Sequence, residues 1–388
     1  MIPRLAATAL LRLAQGFPIV AVTGPRQSGK TTLARATFSG KTYVSLENPE
    51  EREFAIQDPK RFLARFPDGA ILDEVQRCPS LFSWLQGHVD ERQRMGDFVL
   101  TGSHQFDLFS GTTQSLAGRV GRVELLPLSG AELVGVGQLP GALETMLWQG
   151  GYPSLYSRPV APGDWFSNYV GTYLERDVRQ LVAVRDLTLF QRFVRLCAAR
   201  TGQLLNLAAL GADCGISAVT AREWLSVLEA SYLVLRLPPY FRNFGKRLIK
   251  SPTLYFLDTG LAAWLLGVRE PSALLTHPAR GALFETWVVA ELAKQRFNQA
   301  QPLDLFFWRD SNGLEVDIVF DTPHGTQAVE IKSGTTFASD WPQALRKWSA
   351  LENAPAPLPW VIFGGEGEHE RQGCQVMGWQ AFAAGKTP

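Results

Sequence analysis

A glycine-rich segment near the N-terminus has the residue types and spacing of a phosphate-binding loop. Gly24, Gly29, Lys30 and Thr31 complete the pattern G-x-x-x-x-G-K-[ST]. In such a loop backbone N–H groups surround the phosphates, the lysine reaches the β and γ oxygens, and the hydroxyl coordinates magnesium. The pattern predicts that ATP and Mg²⁺ bind through a continuous run of residues, which are Gly24, Pro25, Arg26, Gln27, Ser28, Gly29, Lys30, Thr31 and Thr32.

Polar side chains end two apolar runs that follow this loop. In the run from Gly69, Asp73 would hold the magnesium and Glu74 would orient or deprotonate the attacking water. The next run begins at Asp97 and ends near Ser103, which we expect beside the γ-phosphate. An apolar run ending in two carboxylates is common by itself, but about 40 residues after a phosphate loop it indicates nucleotide hydrolysis.

Two arginines, Arg119 and Arg122, come after the Ser103 run and before a further predicted strand at Val123. An arginine in this place can reach the nucleotide of a neighbouring subunit and stabilise charge in the transition state. The alternative is that both are ordinary surface arginines.

A second group of charged residues lies in the last third of the chain. Glu285 is in a predicted helix, and strand alternation puts Glu330 and Lys332 on one face with Asp317 opposite on the neighbouring strand. The three carboxylates would bind magnesium, and Lys332 would lower the pKa of an attacking water or stabilise charge at a phosphodiester. Glu330 and Lys332 could instead form a simple ion pair, and Glu315 replaces Asp317 if the register is shifted.

The middle of the chain has a pattern that suits nucleic-acid contact. Residues 217–230 form a predicted helix with an apolar face, as in the third helix of a helix-turn-helix, and Arg222 lies on its other face. Residues 240–250 interleave aromatic rings with cations, which suits phosphates and bases. The predicted DNA-binding cations are Arg222, Arg242, Lys246, Arg247 and Lys250. A protein-docking module or a solvated hairpin tip is the alternative.

The predicted strands and helices around these residues indicate an α/β protein with several parts. A strand at residues 17–23 leads into the phosphate loop and a helix follows it, as in a parallel sheet. We predict an ATPase core at residues 1–130, a helical lid at 131–185, a winged helix-turn-helix at 186–260 and a second α/β domain at 261–388. A Gly/Pro-rich link is expected around residues 135–162, and a closing strand at 359–365.

Composition limits the function classes. The chain has 388 residues with 38 basic and 37 acidic side chains, so any nucleic-acid surface must be local. Its four cysteines are scattered without a CxxC pattern, which argues against zinc sites and disulfides and favours a cytoplasmic setting. No stretch approaches the roughly 20 apolar residues of a membrane-spanning helix, so we expect no membrane association.

The order of phosphate loop, Asp-Glu strand, Ser103 strand and arginine resembles the AAA-type ATPases of the AAA+ superfamily. Within them the sequence resembles a large prokaryotic family with a C-terminal domain of unknown function. The resemblance implies a homo-oligomer, such as a hexameric ring, in which Arg119 or Arg122 acts in trans. The charged cluster resembles the PD-(D/E)xK nuclease superfamily, including its archaeal Holliday-junction-resolving members.

Together these features predict an ATP-dependent motor that processes branched or Holliday-junction-like DNA and carries a magnesium-dependent nuclease-like domain. The alternative is a regulatory or defence-associated ATPase switch whose nuclease-like domain is inactive and only binds DNA or a protein partner. A nucleotide-dependent scaffold with negligible turnover is a third possibility.

Overall fold

The computed structural model describes residues 2–103, 116–174, 186–241, 249–351 and 357–386. The chain forms two compact units. The first contains Met1–Leu128, Ala230–Tyr232 and Lys294–Pro302, and the second contains the remaining residues. The four-part division from the sequence stays a prediction.

The first unit is built on a five-stranded parallel sheet. Its strands are β1 (Ile19–Thr23), β2 (Thr42–Ser45), β3 (Ala70–Asp73), β4 (Phe98–Gly102) and β5 (Val120–Glu124). Their order in the sheet is β2-β3-β4-β1-β5. The helices of this unit are α1 (Ala6–Gly16), α2 (Lys30–Thr37), α3 (Pro49–Gln57), α4 (Pro59–Ala64) and α5 (Leu81–Arg92).

Apolar residues cover both faces of this sheet. Ile19 and Ala21 of β1 lie in a buried cluster with residues of α3, α4 and α5. Val20 and Val22 lie in a second cluster with residues of α1 and α2. Since successive side chains of a strand point to opposite faces, β1 must be apolar throughout, which explains its uninterrupted apolar run.

Strand β5 begins earlier than the sequence predicts. Its residues pair with all of β1, from Ile19 opposite Val120 to Thr23 opposite Glu124. Arg122 is therefore part of the strand, whereas the sequence placed it before a strand beginning at Val123. Exposed Arg122 interrupts the apolar pattern of this edge strand, so the sequence pattern did not indicate where the strand begins.

The second unit begins with short helices. They are α6 (Gly130–Gly135), α7 (Leu143–Gln149), α8 (Ser154–Ser157) and α9 (Pro162–Tyr169), with a π-helical turn at Val170–Leu174. The expected Gly/Pro-rich link at 135–162 is therefore wrong, because α7 and α8 occupy it. Apolar side chains of these helices, such as Met146 and Leu147, are buried. Their burial stabilises the helices despite the nearby glycines and prolines. Residues 175–185 at the end of the predicted helical lid lie outside the described residues.

Three helices and a small antiparallel sheet follow. They are α10 (Leu187–Ala198), β6 (Gln203–Leu204), α11 (Leu207–Cys214), α12 (Ala218–Ala230), β7 (Val234–Leu237) and β8 (Thr253–Phe256). The predicted apolar face of α12 is buried, and Trp224 packs edge-on against Phe190 and Phe193 of α10 at ring distances of 5.2 and 5.4 Å. Strands β7 and β8 pair in antiparallel register, from Val234 opposite Phe256 to Leu237 opposite Thr253.

The C-terminal part of this unit is a mixed six-stranded sheet with helices. Helices α13 (Thr259–Leu265) and α14 (Arg280–Asn298) precede it, and the last residues of α14 belong to the first unit. Its strands and helices are β9 (Phe306–Arg309), β10 (Glu315–Thr322), β11 (Gly325–Lys332), α15 (Gln343–Ser349), β12 (Trp360–Phe363), β13 (Glu368–Arg371), β14 (Cys374–Gly378) and α16 (Trp379–Ala383). The strand order is β13-β14-β12-β11-β10-β9.

The expectation that residues 359–365 close the sheet is wrong. Strand β12 lies between β11 and β14, and β13 forms the edge. All four residues of β13 are exposed, so the strand lacks the apolar alternation by which a sequence reveals a strand.

The described residues at the two ends of the segment predicted to contact nucleic acid, residues 240–250, hydrogen-bond to edge strand β9. Phe307 N donates to Pro238 O at 3.1 Å, and Tyr240 N donates to Phe307 O at 2.7 Å. At the other end of the segment, Ile249 N donates to Arg309 O at 3.1 Å. Backbone groups at residues 238, 240 and 249 therefore all hydrogen-bond to one strand.

In the described parts of the chain, no helix is both long and apolar enough to cross a bilayer.

Candidate functional site

The phosphate loop joins the central strand β1 to α2, as the sequence predicted. Gly24 has φ 151°, and a Cβ there would lie 2.1 Å from the carbonyl oxygen of Leu125, so only glycine fits. Gly29 is left-handed with φ 95° and is the N-cap of α2. The loop between them contains Pro25, Arg26 and Gln27. A tight glycine-containing loop that leads into the N-terminus of a helix is the usual setting of an anion-binding site.

Lys30 and Ser28 are buried polar groups of this loop. Lys30 is 5% exposed, and its Nζ donates to the carbonyl oxygens of Gly24 at 3.0 Å and Pro25 at 2.8 Å. The Ser28 hydroxyl is buried without a hydrogen-bond partner in the described structure. An unsatisfied buried hydroxyl is costly, and a phosphate oxygen would supply its missing partner. Thr32 is exposed on α2.

Three hydroxyl groups hold the Asp73 carboxylate at the end of β3. Thr31 donates to Asp73 Oδ1 at 2.8 Å, and Thr101 of β4 donates to the same oxygen. Tyr43 of β2 donates to Oδ2 at 2.8 Å. Thr31 and Asp73, the two predicted magnesium ligands, are therefore in direct contact, and their oxygens suit that hard cation. Bound magnesium would neutralise phosphate charge here.

Tyr43 is a site residue that the sequence analysis missed. It lies in β2, one strand from β3, and belongs to no motif. Burial and the hydrogen bond to Asp73 raise the pKa of Tyr43 to about 12, so its hydroxyl stays protonated at neutral pH. Its alternating strand position is the only signal a sequence could offer.

Glu74 has an unusual backbone conformation and two side-chain partners. Its φ of 54° is left-handed, which costs on the order of 1 kcal/mol for a residue other than glycine. Ser103 Oγ donates to Glu74 Oε1 at 3.1 Å, and Gln76 Nε2 donates to Oε2. The structure thus brings the predicted pair Glu74 and Ser103 together and adds Gln76, which the sequence analysis missed.

A tyrosine supports the strand that precedes the phosphate loop. Within the first unit, Tyr232 Oη and Thr23 Oγ1 share a hydrogen bond at 2.7 Å, and Tyr232 donates to Glu124 Oε1 at 3.2 Å. Tyr232 therefore links the ends of neighbouring strands β1 and β5. It is about 210 residues from Thr23 in the chain, so no local pattern predicts this contact.

The two predicted arginines lie on the surface of the first unit. Arg119 Nε and Nη2 donate to the two carboxylate oxygens of Asp90 in α5, at 2.6 and 2.8 Å. This forked hydrogen bonding lowers the pKa of Asp90. Arg122 is exposed on β5. Their action in trans stays a prediction.

The predicted C-terminal cluster is assembled on β10, β11 and α14. Ile318 pairs with Val329, so Asp317 and Glu330 are the next residues along the two strands. Lys332 Nζ lies 2.5 Å from Glu330 Oε1. Asp317 Oδ2 accepts a hydrogen bond from the backbone N–H of Ile331 at 2.7 Å.

Glu285 accepts a hydrogen bond from the hydroxyl of Tyr255, a fully buried residue of β8. The sequence analysis missed Tyr255, which lies in a predicted strand but in no motif. Glu315, the alternative to Asp317, is paired with Arg309 at 3.2 Å.

Burial and mutual repulsion shift the proton affinities in this cluster. Burial raises the pKa of Glu285 to about 7 and raises the pKa values of Asp317 and Glu330. Burial alone would lower the pKa of Lys332, but Asp317 and Glu330 raise it. Glu330 Oε2 is buried without a hydrogen-bond partner in the described structure. The cluster therefore has acidic groups that a cation would stabilise.

The carboxylates do not have the arrangement of a formed metal site. Among the described residues, no three His, Cys, Asp or Glu side chains are placed to hold one ion. The four predicted residues are thus electrostatically coupled, while their role as magnesium ligands stays a prediction.

The structure describes two of the five predicted DNA-binding cations. Arg222 is exposed on α12, and Lys250 is exposed just before β8. Arg242, Lys246 and Arg247 lie outside the described residues.

Comparisons with known proteins agree with the fold of the first unit. Residues 16–134 match a family model described as "AAA domain". Residues 141–272 and 280–382 match models described as "Domain of unknown function (DUF8612)" and "Domain of unknown function (DUF4143)".

Solved structures show weaker likeness. The walker-type ATPase PABY2304 of Pyrococcus abyssi is 15% identical, with 67% of this chain and 94% of that chain covered and a TM-score of 0.46. The RuvB Holliday junction branch migration motor of Thermotoga maritima is 19% identical, with 60% and 87% covered and a TM-score of 0.31. Scores this low support no inference about function.

The parallel sheet, the phosphate loop and the family match define the first unit as a P-loop ATPase domain of the AAA type. Two mycobacterial relatives match most of the chain. Uncharacterized protein Rv2008c of Mycobacterium tuberculosis and uncharacterized protein Mb2031c of Mycobacterium bovis are each 34% identical over 335 residues, which covers 85% of this chain and 74% of each relative. The chain belongs to the family of these two proteins.

The substitution Glu285→Gln should change how stability depends on pH. The raised pKa, about 7 against an ordinary 4.5, means that the folded protein binds this proton more tightly than the unfolded chain. The contribution of Glu285 to the free energy of unfolding is fully present below its pKa in the unfolded chain. It is lost as the pH rises through its pKa in the folded protein. Glutamine keeps an acceptor for Tyr255 and does not titrate. The wild type should lose on the order of 1 kcal/mol of unfolding free energy as the pH rises, and this loss should disappear in Glu285→Gln.

Urea unfolding at about pH 5.5 and about pH 8 measures this difference. Glu223→Gln, on the exposed face of α12, is the matched control and should behave like the wild type. If Glu285→Gln loses as much stability between the two pH values as the wild type does, the raised pKa is wrong.

Proposed function

We propose that this protein binds magnesium and ATP, hydrolyses the nucleotide, and uses hydrolysis to process branched or Holliday-junction-like DNA. One observation carries the ATPase part. Thr31 of the phosphate loop contacts Asp73 at 2.8 Å, and Glu74 is the next residue. This contact supports the proposal, because the groups that would bind phosphate, bind magnesium and activate water are then at one edge of the sheet, as phosphoryl transfer needs.

Each residue has a role that follows from its chemistry. Lys30 would exchange its two carbonyl partners for phosphate oxygens, and Ser28 would donate its unpaired hydroxyl. Glu74 would orient a water and accept its proton, and Ser103 holds that carboxylate by a hydrogen bond of 3.1 Å. Arg119 or Arg122 of a second copy would stabilise charge in a homo-oligomer such as a hexamer.

The DNA part of the proposal depends on the second unit. The order α10, β6, α11, α12, β7, β8 supports a winged helix, with exposed Arg222 on the helix that would enter the groove. Lys250 adds a cation next to Ile249, whose N–H donates to Arg309 O of β9. The chain is nearly neutral overall, so these local cations would have to supply the phosphate contacts.

The carboxylate cluster supports a magnesium-dependent nuclease-like domain. Asp317 and Glu330 are neighbours, Glu285 is coupled to them, and Lys332 is within 2.5 Å of Glu330. When bound, magnesium would polarise a phosphodiester and replace protons on the carboxylates with raised pKa values. In this role Lys332 would stabilise charge on the phosphate or the attacking water.

A second candidate function is a regulatory or defence-associated ATPase switch with an inactive nuclease-like domain. The close pair of Glu330 and Lys332 favours it, because an ion pair occupies two of the groups that cleavage needs. In this role the second unit would bind DNA or a protein partner without cutting it.

Glu74→Gln should retain nucleotide binding and lose turnover by about 100-fold or more, because an amide cannot accept a proton from water. Lys30→Ala should lose nucleotide binding, since the loop then lacks its phosphate-binding cation. Phosphate release and binding of a fluorescent ATP analogue measure the two effects.

Glu74→Gln with ATP should also accumulate an oligomer in sedimentation experiments. Turnover at the wild-type rate in Glu74→Gln would remove Glu74 from this role.

Branched DNA should raise the ATPase rate more than linear duplex of equal length does. The comparison uses a four-way junction, linear duplex and single strands at equal nucleotide concentration. Arg222→Ala should need about two- to fivefold more junction for half-maximal stimulation, because one phosphate contact is lost. Arg192→Ala, an exposed arginine of α10, is the matched control. An ATPase rate that no DNA changes would contradict the motor and leave the hydrolysis intact.

Lys332→Ala should abolish nicking of an end-labelled four-way junction in magnesium, with a loss of about 100-fold or more. Lys30→Ala should still nick, because the two sites are chemically independent. Lys347→Ala, an exposed lysine of α15, is the control for loss of a positive charge, and thermal melting checks that each variant folds. A wild-type protein that binds the junction and does not nick it would favour the switch.

A further inference from the structure

We propose that Tyr43 is a positioning residue that fixes the Asp73 carboxylate for magnesium at the nucleotide site. The inference rests on the proposed binding of magnesium and ATP and adds a residue outside every motif of the phosphate loop. Tyr43 reaches Asp73 from β2, the strand on the far side of β3 from β4.

The hydrogen bonds of Asp73 are divided between its two oxygens. Thr31 and Thr101 donate to Oδ1, whereas Tyr43 donates to Oδ2 at 2.8 Å. A carboxylate rotates easily about its last bond when donors hold one oxygen alone, because that torsion is broad. With donors on both oxygens, the plane of the carboxylate is fixed. Tyr43 therefore sets which oxygen faces Thr31.

Tyr43 is itself held by the helix that begins at the phosphate loop. The guanidinium of Arg35 in α2 lies 4.8 Å from the centre of the Tyr43 ring. Lys30 and Thr31 are in the first turn of the same helix. One helix thus carries a predicted magnesium ligand and contacts the residue that orients the other ligand.

The ring and the hydroxyl of Tyr43 have separable roles. Tyr43→Phe keeps the ring under Arg35 and removes only the donor to Asp73 Oδ2. Asp73 would then lose a charge-assisted hydrogen bond, and its carboxylate would rotate away from the magnesium position part of the time. The apparent affinity for magnesium should fall about tenfold, whereas nucleotide phosphates would still find Lys30 and the loop N–H groups.

The experiment titrates the full chain with a fluorescent N-methylanthraniloyl derivative of ADP, in EDTA and at a series of magnesium concentrations. In EDTA, Tyr43→Phe should bind the probe as the wild type does. The magnesium concentration that gives half of the full increase in probe affinity should rise about tenfold in the variant. The control is Tyr156→Phe in the second unit, which removes a hydroxyl that donates to Gly150 O at 2.6 Å and should follow the wild-type curve.

Three results would overturn the inference. An unchanged magnesium midpoint in Tyr43→Phe means that the hydroxyl does not orient the ligand, and a lower midpoint means that it competes with magnesium. Equal weakening in EDTA and in magnesium means that Tyr43 only supports the fold. These results leave the proposed function in place, whereas a wild-type protein that binds no probe under any condition would overturn that function as well.

Discussion

The architecture of the first unit depends on the Asp73 carboxylate being held across three parallel strands. Asp73 ends β3, but the phosphate loop follows β1, and β4 lies between these strands. The gap is bridged because Thr101 on β4 donates to the carboxylate and Thr31 approaches it from α2. The strands must therefore end at the same edge and in this order. Both faces of β1, β3 and β4 are buried, as their place in the middle of the sheet requires.

The second unit solves a different electrostatic problem. Asp73 is satisfied by neutral hydroxyl donors, whereas Glu285, Asp317 and Glu330 lie close enough to repel one another and share one lysine. Burial and repulsion raise the pKa of Glu285 to about 7 and also raise the pKa values of Asp317 and Glu330. Hydroxyl donors thus position the carboxylate of the first unit, whereas burial, mutual repulsion and one lysine set the charges of the cluster in the second unit.

The sequence was sufficient where function requires residues at fixed local spacing. The phosphate loop, the Asp73–Glu74 strand end and the apolar face of α12 were predicted, because each needs a short pattern. Tyr43 and Tyr255 were missed, since three-dimensional contacts bring them in from other strands. Gln76 was missed although it is only two residues from Glu74, because it belongs to no motif. The errors at β13 and in the link at 135–162 have the opposite cause. There, tertiary pairing and burial override a local composition that favours loops.

The hydrogen bonds that join Pro238, Tyr240 and Ile249 to β9 have a consequence for amide exchange. They connect residues just after β7 and just before β8 to a strand of the six-stranded sheet. A backbone N–H group that is paired in this way exchanges its hydrogen with solvent only when the pairing opens. The amides of Tyr240, Ile249 and Phe307 should therefore exchange together, so that the small sheet and the edge of the larger one open as one unit.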